Sequence, residues 1–128
     1  TVEDLAKYKP IIREAVSADV MGLTIIGVPP PSSGGLTIIS VLKFLSSYAV
    51  PLAGSVALGA HRTVEGMKHA FALRMSLGDP LFVPEAAEIQ AKMLNDTFID
   101  MLVEGTEDGT TQKVSHYGGK YSQLNDHG

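Results

Sequence analysis

The chain has 128 residues, 45% of them hydrophobic and 19% charged, with a formal net charge of −4 and no cysteine. That length and burial capacity suit one domain-sized unit with a real core, not a disordered chain. The acidic balance and the lack of a basic run argue against a nucleic-acid partner, and the missing cysteines exclude disulfides and thiolate chemistry while leaving the compartment open.

In chain order, Thr1 is placed to cap a short helix through Glu3-Asp4-Leu5-Ala6-Lys7-Tyr8, whose early acids suit the helix dipole and which Pro10 ends. The first residue is Thr1 and no basic-then-apolar leader follows, so a part upstream is expected. Residues 11–21 alternate weakly between apolar and polar. Gly22 separates them from residues 23–28, a run apolar on both sides, of the kind a strand buried on both faces carries. The two stretches are expected to pair as a hairpin turning at Met21-Gly22.

The most specific stretch comes next, Pro29-Pro30-Pro31-Ser32-Ser33-Gly34-Gly35. Three prolines have no N–H for a strand or helix interior, so the element before them must stop. Ser32 or Ser33 then offers an oxygen to the free N–H groups of a following helix, and Gly34 and Gly35 permit close backbone approach. This turn has three meanings: a structural corner between strand and helix, an anion cradle at a helix start, or a nucleophile turn. The spacing is not that of a P-loop and the serines do not stand in Gly-x-Ser-x-Gly, which favours the corner.

Residues 36–50 place Ile38, Val41, Leu42, Leu45 and Ala49 at helical spacing, and Leu36, Ile39 and Phe44 widen the stripe until little polar surface remains. Such a helix belongs between layers; Lys43, Ser46 and Ser47 interrupt it well short of the 18 or so apolar residues of a membrane span. Residues 51–59 read as a small-residue loop. A helix over 60–75 follows, with Ala60, Val64, Met67, Phe71 and Met75 on one face, stopped by Gly78-Asp79-Pro80. Pro84 opens a third helical region with early acids Glu85 and Glu88. Asn95-Asp96 is placed to recap it, with Phe98, Met101 and Leu102 inward. The periodicity dies beyond Gly105, and residues 105–128, with five glycines, read as a mobile tail with little to anchor it. The chain thus divides into 1–104 and 105–128.

His61, Glu65 and His69 fall at successive i, i+4 steps on one helical face. They can suit a metal, but the pattern is not His-Glu-x-x-His, so a hydrogen-bonded stripe without metal is expected. Glu65, Arg74 and Asp79 are expected to form a positional charge cluster, Arg74 tying Asp79 and loop carbonyls together, and not to serve as acid and base. His116, Tyr117 and His127 are expected to mean little.

The order of PPPSSGG, an apolar helix, His61 and Glu65, then Ala70-Phe71-Ala72-Leu73-Arg74 and Leu77-Gly78-Asp79-Pro80, resembles the gamma-glutamyltranspeptidases, or glutathione hydrolases. The resemblance runs from Asp4-Leu5-Ala6-Lys7-Tyr8 to the end, and Tyr117-Gly118-Gly119 and Asn125-Asp126-His127-Gly128 are most similar to plant members. It implies an α/β fold of the α+β layered kind: a fragment of an N-terminal-nucleophile hydrolase sandwich, two sheets between helix layers. It also implies a precursor that cuts itself before a threonine, which would follow Gly128 and become the nucleophile of a small subunit. This chain would then be the C-terminal part of the large subunit, with Gly128 as the autocleavage junction, no catalytic residue, no cofactor and no metal. Pro31, Ser32, Ser33, Gly34 and Gly35 would shape a structural turn. The implied partners are that small subunit, glutathione and gamma-glutamyl acceptors, and the implied placement is secretory, apoplastic, plasma-membrane or vacuolar. From the residues alone, a non-catalytic binding or structural module stays open.

Overall fold

The computed structural model describes residues 1–48 and 55–118. Thr1 caps α1 (Val2–Lys7): its hydroxyl accepts from the Asp4 N–H at 3.2 Å, and the Asp4 carboxylate reaches back to the Thr1 backbone nitrogen at 2.9 Å. No residue of α1 is buried, so local capping is what defines it.

β1 (Val16–Val20) and β2 (Leu23–Gly27) form the expected antiparallel hairpin, in register from Val16 opposite Gly27 to Val20 opposite Leu23. Met21 (φ 52) and Gly22 (φ 78) are both left-handed, the turn whose twist matches that of the flanking strands. Val16 and Val20 are buried on the inner face. The expectation of a strand buried on both faces is corrected: Ile26 and Val28 are exposed. Among the described residues this two-stranded sheet carries its helix, α2, on one side, leaving the other side of the apolar run open.

α2 (Gly34–Ser46) lies between the hairpin and the helices α3 (Val56–Arg74), α4 (Ala86–Leu94) and α5 (Asp96–Glu104). Val16, Leu36, Ile39 and Met93 form the centre of the core, with Ile25, Leu73 and Ile89 against it. The helix with the broadest apolar girth therefore sits between layers, as its pattern required. Lys43 is buried on α2 and ion-paired with Asp96 at the start of α5, which satisfies a charge that is costly to bury alone.

Three boundaries and faces differ from expectation. α3 starts at Val56, with the Ser55 hydroxyl accepting from the Leu58 N–H at 3.1 Å, so residues 56–59 are helix and not loop. Its periodic apolar stripe faces outward, with Phe71 54% exposed, while Glu65, Gly66, His69 and Ala70 are buried. Gly66 is the reason α3 can approach α2 so closely, because a Cβ there would lie 2.7 Å from the Phe44 ring. On α5, Asn95 caps through its side-chain oxygen, which accepts from the Phe98 N–H at 2.8 Å. Ile99, not Met101, is the buried residue of that helix.

Candidate functional site

Two places combine polar groups with unusual geometry. The first is the corner after β2. The prolines end the strand, the Pro30-Pro31 peptide is cis, and the Ser32 N–H donates to the Pro29 carbonyl at 3.2 Å. Ser32 Oγ accepts from the Gly34 N–H at a long 3.4 Å. Ser33 is the N-cap residue, but its backbone is already helical (φ −88, ψ −14) and its side chain makes no capping bond. Capping through the side chain needs an extended N-cap, so of the two serines expected to cap, Ser32 reaches a helix N–H and Ser33 does not. Its hydroxyl accepts from Arg74 Nε at 2.7 Å instead, pinning the end of α3 to the start of α2.

The two glycines of the corner are not equivalent. A Cβ on Gly35 would lie 2.6 Å from the Val28 carbonyl oxygen and 2.8 Å from the Val28 nitrogen, and one on Gly27 would lie 2.6 Å from Gly35 Cα. Gly34 meets nothing closer than 3.8 Å. Helix and strand thus touch backbone to backbone at Gly27 and Gly35. Arg74 offers only donors, so it gives Ser33 no base. The expected link from Arg74 to Asp79 does not form, because Asp79 pairs with Arg13 at 2.8 Å and accepts from the Leu81 N–H at 3.0 Å.

The second place lies where α3 meets residues 105–118, which end in the short α6 (Val114–Tyr117). Glu65, 2% exposed, is its centre. Its Oε1 accepts from Lys68 Nζ at 2.8 Å and from Thr111 Oγ1 at 2.9 Å, and its Oε2 accepts from the Tyr117 hydroxyl. That hydroxyl also accepts from the Gln112 N–H at 3.0 Å. Burial pushes the Glu65 carboxyl up, but the bonds from Lys68, Tyr117 and Thr111 outweigh it and leave the group below the usual carboxylate range. Lys68 is held above its ordinary value chiefly by its bond to Glu65. The second reach of the contact is Arg62, whose guanidinium grips Asp108 with two bonds of 2.9 and 2.7 Å and lies 4.1 Å from the centre of the Tyr48 ring.

His69 sits beneath this knot, one turn after Glu65. Its ring centroid is 4.9 Å from that of Tyr117, 5.7 Å from His116 and 5.9 Å from Phe44. Nδ1 is buried without a hydrogen-bond partner among the described residues. Burial first, then the neighbouring His116, pushes its pKa down to about 4, so His69 is neutral near pH 7. His61, four residues before Glu65, contacts the Glu107 carbonyl oxygen at 2.8 Å. The His61, Glu65 and His69 face therefore works as a hydrogen-bonded strip that receives residues 105–118.

That strip corrects the expectation of a segment with little to anchor it, as far as Gly118. No apolar period runs through residues 105–118 because side-chain hydroxyls and charges hold them, partnered to residues 43–52 positions earlier. Tyr117 and His116, expected to mean little, are central. Gly128 and His127 lie outside the described residues. Beside the knot, an open trough of about 460 Å³ has apolar walls from Phe71, Met75 and Val114, with Lys68 and Arg74 at its rim.

The sequence model of the family described as Gamma-glutamyltranspeptidase matches residues 1–128. Glutathione hydrolase 2 of Arabidopsis thaliana is 44% identical over 128 residues, all of this chain and 22% of that protein. The glutathione hydrolase proenzyme of Pseudomonas sp. (strain A14) is 41% identical over 85 residues, 65% of this chain and 15% of that protein. In three dimensions the chain is similar to the gamma-glutamyltranspeptidase of Helicobacter pylori, with a TM-score of 0.81 at 28% identity over 98% of this chain and 36% of that one. The chain thus spans about a fifth of the length of the plant relative.

Proposed function

Because the chain belongs to the gamma-glutamyltranspeptidase family, we propose that it forms the C-terminal part of the large subunit of a glutathione hydrolase. The whole enzyme would cleave the gamma-glutamyl amide of glutathione and pass the glutamyl group to water or to an amino-acid or peptide acceptor. The observation that carries this is the match of the family across all 128 residues. The layered α/β arrangement shared with the Helicobacter pylori enzyme supports it.

In this reading the nucleophile is the hydroxyl of a threonine that follows Gly128, activated by its own amino group. Covalent glutamyl transfer through a hydroxyl splits one hard step into two easier ones. To free that amine, the hydroxyl oxygen bonds to the Gly128 carbonyl carbon, the C–N bond breaks and the nitrogen takes the hydroxyl proton. Water then hydrolyses the ester, leaving a Gly128 carboxylate and the threonine amine. This chain contributes scaffold over 1–104 and, over 105–128, the lead into the junction; it contributes no catalytic residue. The small subunit of the same precursor is the partner, in keeping with the word proenzyme in the name of the Pseudomonas relative. The outward apolar stripe of α3 and the open face of β2 offer apolar surface of the kind that other layers cover.

The test is expression of the complete precursor. The expected result is two chains, the smaller beginning with threonine, that together release product from a gamma-glutamyl chromogenic substrate. Residues 1–128 alone should release none above a denatured control. An unprocessed, inactive precursor, or turnover by residues 1–128 alone, would overturn the proposal.

A further inference from the structure

We infer that Glu65 is a positioning residue for maturation: by accepting the Tyr117 hydroxyl it tethers the chain eleven residues ahead of Gly128 and so limits where the junction can go. The inference rests on the self-cleavage reading above. A carboxylate this deeply buried is held by Lys68 from its own helix and by two hydroxyls, Thr111 and Tyr117, that both come from the segment leading to Gly128. Charge-assisted bonds of this kind are about twice as strong as neutral ones. An apolar side chain would fill the same space at less desolvation cost, yet it would leave residues 111–117 without their main attachment.

The tether has a definite scale. Eleven residues span at most about 40 Å when fully extended. If the Tyr117 attachment opens, the next one back is Thr111 on Glu65 and Lys68, and behind it Asp108 on Arg62. The free length then grows from eleven residues to seventeen, or to twenty if the Thr111 attachment opens as well. The local concentration of the end of a tether falls roughly as the −3/2 power of its length, so the junction becomes about twofold scarcer at the cleavage site in the first case and about two- to threefold in the second. The tether is also reversible: hydroxyl bonds at the edge of a helix can open after cleavage without disturbing the core.

The experiment follows the appearance of the small subunit from purified, unprocessed full-length precursor. Tyr117→Phe keeps the ring against His69 and His116 and removes the hydroxyl; it should mature about twofold more slowly. Glu65→Ala, which removes the Thr111 attachment as well, should be slower still, about two- to threefold below the wild type, and Glu65→Gln, whose amide oxygen still accepts, should fall between Glu65→Ala and the wild type. Turnover per processed molecule should equal that of the wild type in Tyr117→Phe. Eleven Gly/Ser residues inserted after Gly118 should slow the wild-type precursor by a similar factor, a change that a purely structural role for Glu65 would not produce. Wild-type rates in Tyr117→Phe or in the insertion variant would overturn the inference alone. So would a fall in Tyr117→Phe turnover and melting temperature matching its processing defect. A wild-type precursor that never processes would overturn both this inference and the reading beneath it.

Discussion

The corner at residues 27–35 and the knot around Glu65 both hold the chain in a definite course, by opposite means. In the corner, backbone meets backbone, and what matters is what the residues lack: N–H groups at the prolines, a Cβ at Gly27 and Gly35. In the knot, contact is made by side chains from positions up to 52 residues apart, nearly all able to donate, accept or titrate. The first kind of contact is indifferent to pH and intolerant of added atoms. The second tolerates changes of shape and is sensitive to protons. Each difference can be tested.

The largest effect should come from acid acting on His69. Its pKa is about 4 in the folded chain, against an ordinary 6.5. Between those values the unfolded chain binds a proton that the folded chain does not, so stability is full above about pH 6.5 and drains away as the pH falls toward 4. The loss should be on the order of 2–3 kcal/mol. Glu65, held below its ordinary value, adds a loss that begins only as pH falls through the carboxylate range. Urea unfolding of the complete protein at pH 7 and pH 4.5 should therefore show a drop that His69→Gln largely removes. An undiminished drop in that variant would show that His69 is not the group responsible, and the contrast in pH sensitivity would lose its main support.

The same contrast explains what was legible in the sequence. The hairpin turn at Met21-Gly22, the Thr1 and Asn95 caps, the interlayer helix and the strand-to-helix corner all depend on residues close together in the chain, whose conformational chemistry is local. Glu65 with Tyr117, and Arg13 with Asp79, depend on folding that brings distant residues together, and nothing in their neighbourhoods announces the partner. Hydrophobic periodicity misled in one respect. It marked an apolar face on α3 but not the side on which that face lies, and Gly66, which lets Phe44 approach, decided that the small and polar side turns inward. The run 23–28 misled likewise, since apolar content on both sides of a strand says nothing about how many layers cover it.

A smaller effect, but one with a telling sign, is expected at Gly35. In an ordinary helix, Gly→Ala stabilises by roughly 0.5–1 kcal/mol. Here the new Cβ would lie 2.6 and 2.8 Å from backbone atoms of Val28, which cannot rotate away. Gly35→Ala should therefore destabilise by about 1–3 kcal/mol, whereas Gly34→Ala, with 3.8 Å of room, should be near neutral or mildly stabilising. Denaturant midpoints of the two variants decide it. If Gly35→Ala is the more stable of the two, the close approach is not a constraint, and the corner differs from the knot in position only.

The finest distinction lies between the two serines. Ser32 is the residue whose oxygen reaches a helix N–H, yet at 3.4 Å that bond is at the weak end of the range. Ser33 occupies the cap position without capping, and its hydroxyl faces an ionised donor at 2.7 Å. A bond to a charged group is the stronger kind, but Arg74 is solvent-exposed, and exposure cuts such bonds to well under their buried worth. Ser32→Ala should thus cost only a few tenths of a kcal/mol, below the ~1 kcal/mol of a well-made cap, and Ser33→Ala about 0.5–1 kcal/mol. The loss at Ser33 should vanish when Arg74 is already Ala, because the two changes remove one interaction, so the double-mutant cycle closes on the pair. Equal costs for Ser33→Ala with and without Arg74 would mean that Ser33 acts through the helix start after all. The corner would then be a capped helix like those at Ser55 and Asn95, and the tie between the ends of α2 and α3 would carry no energy of its own.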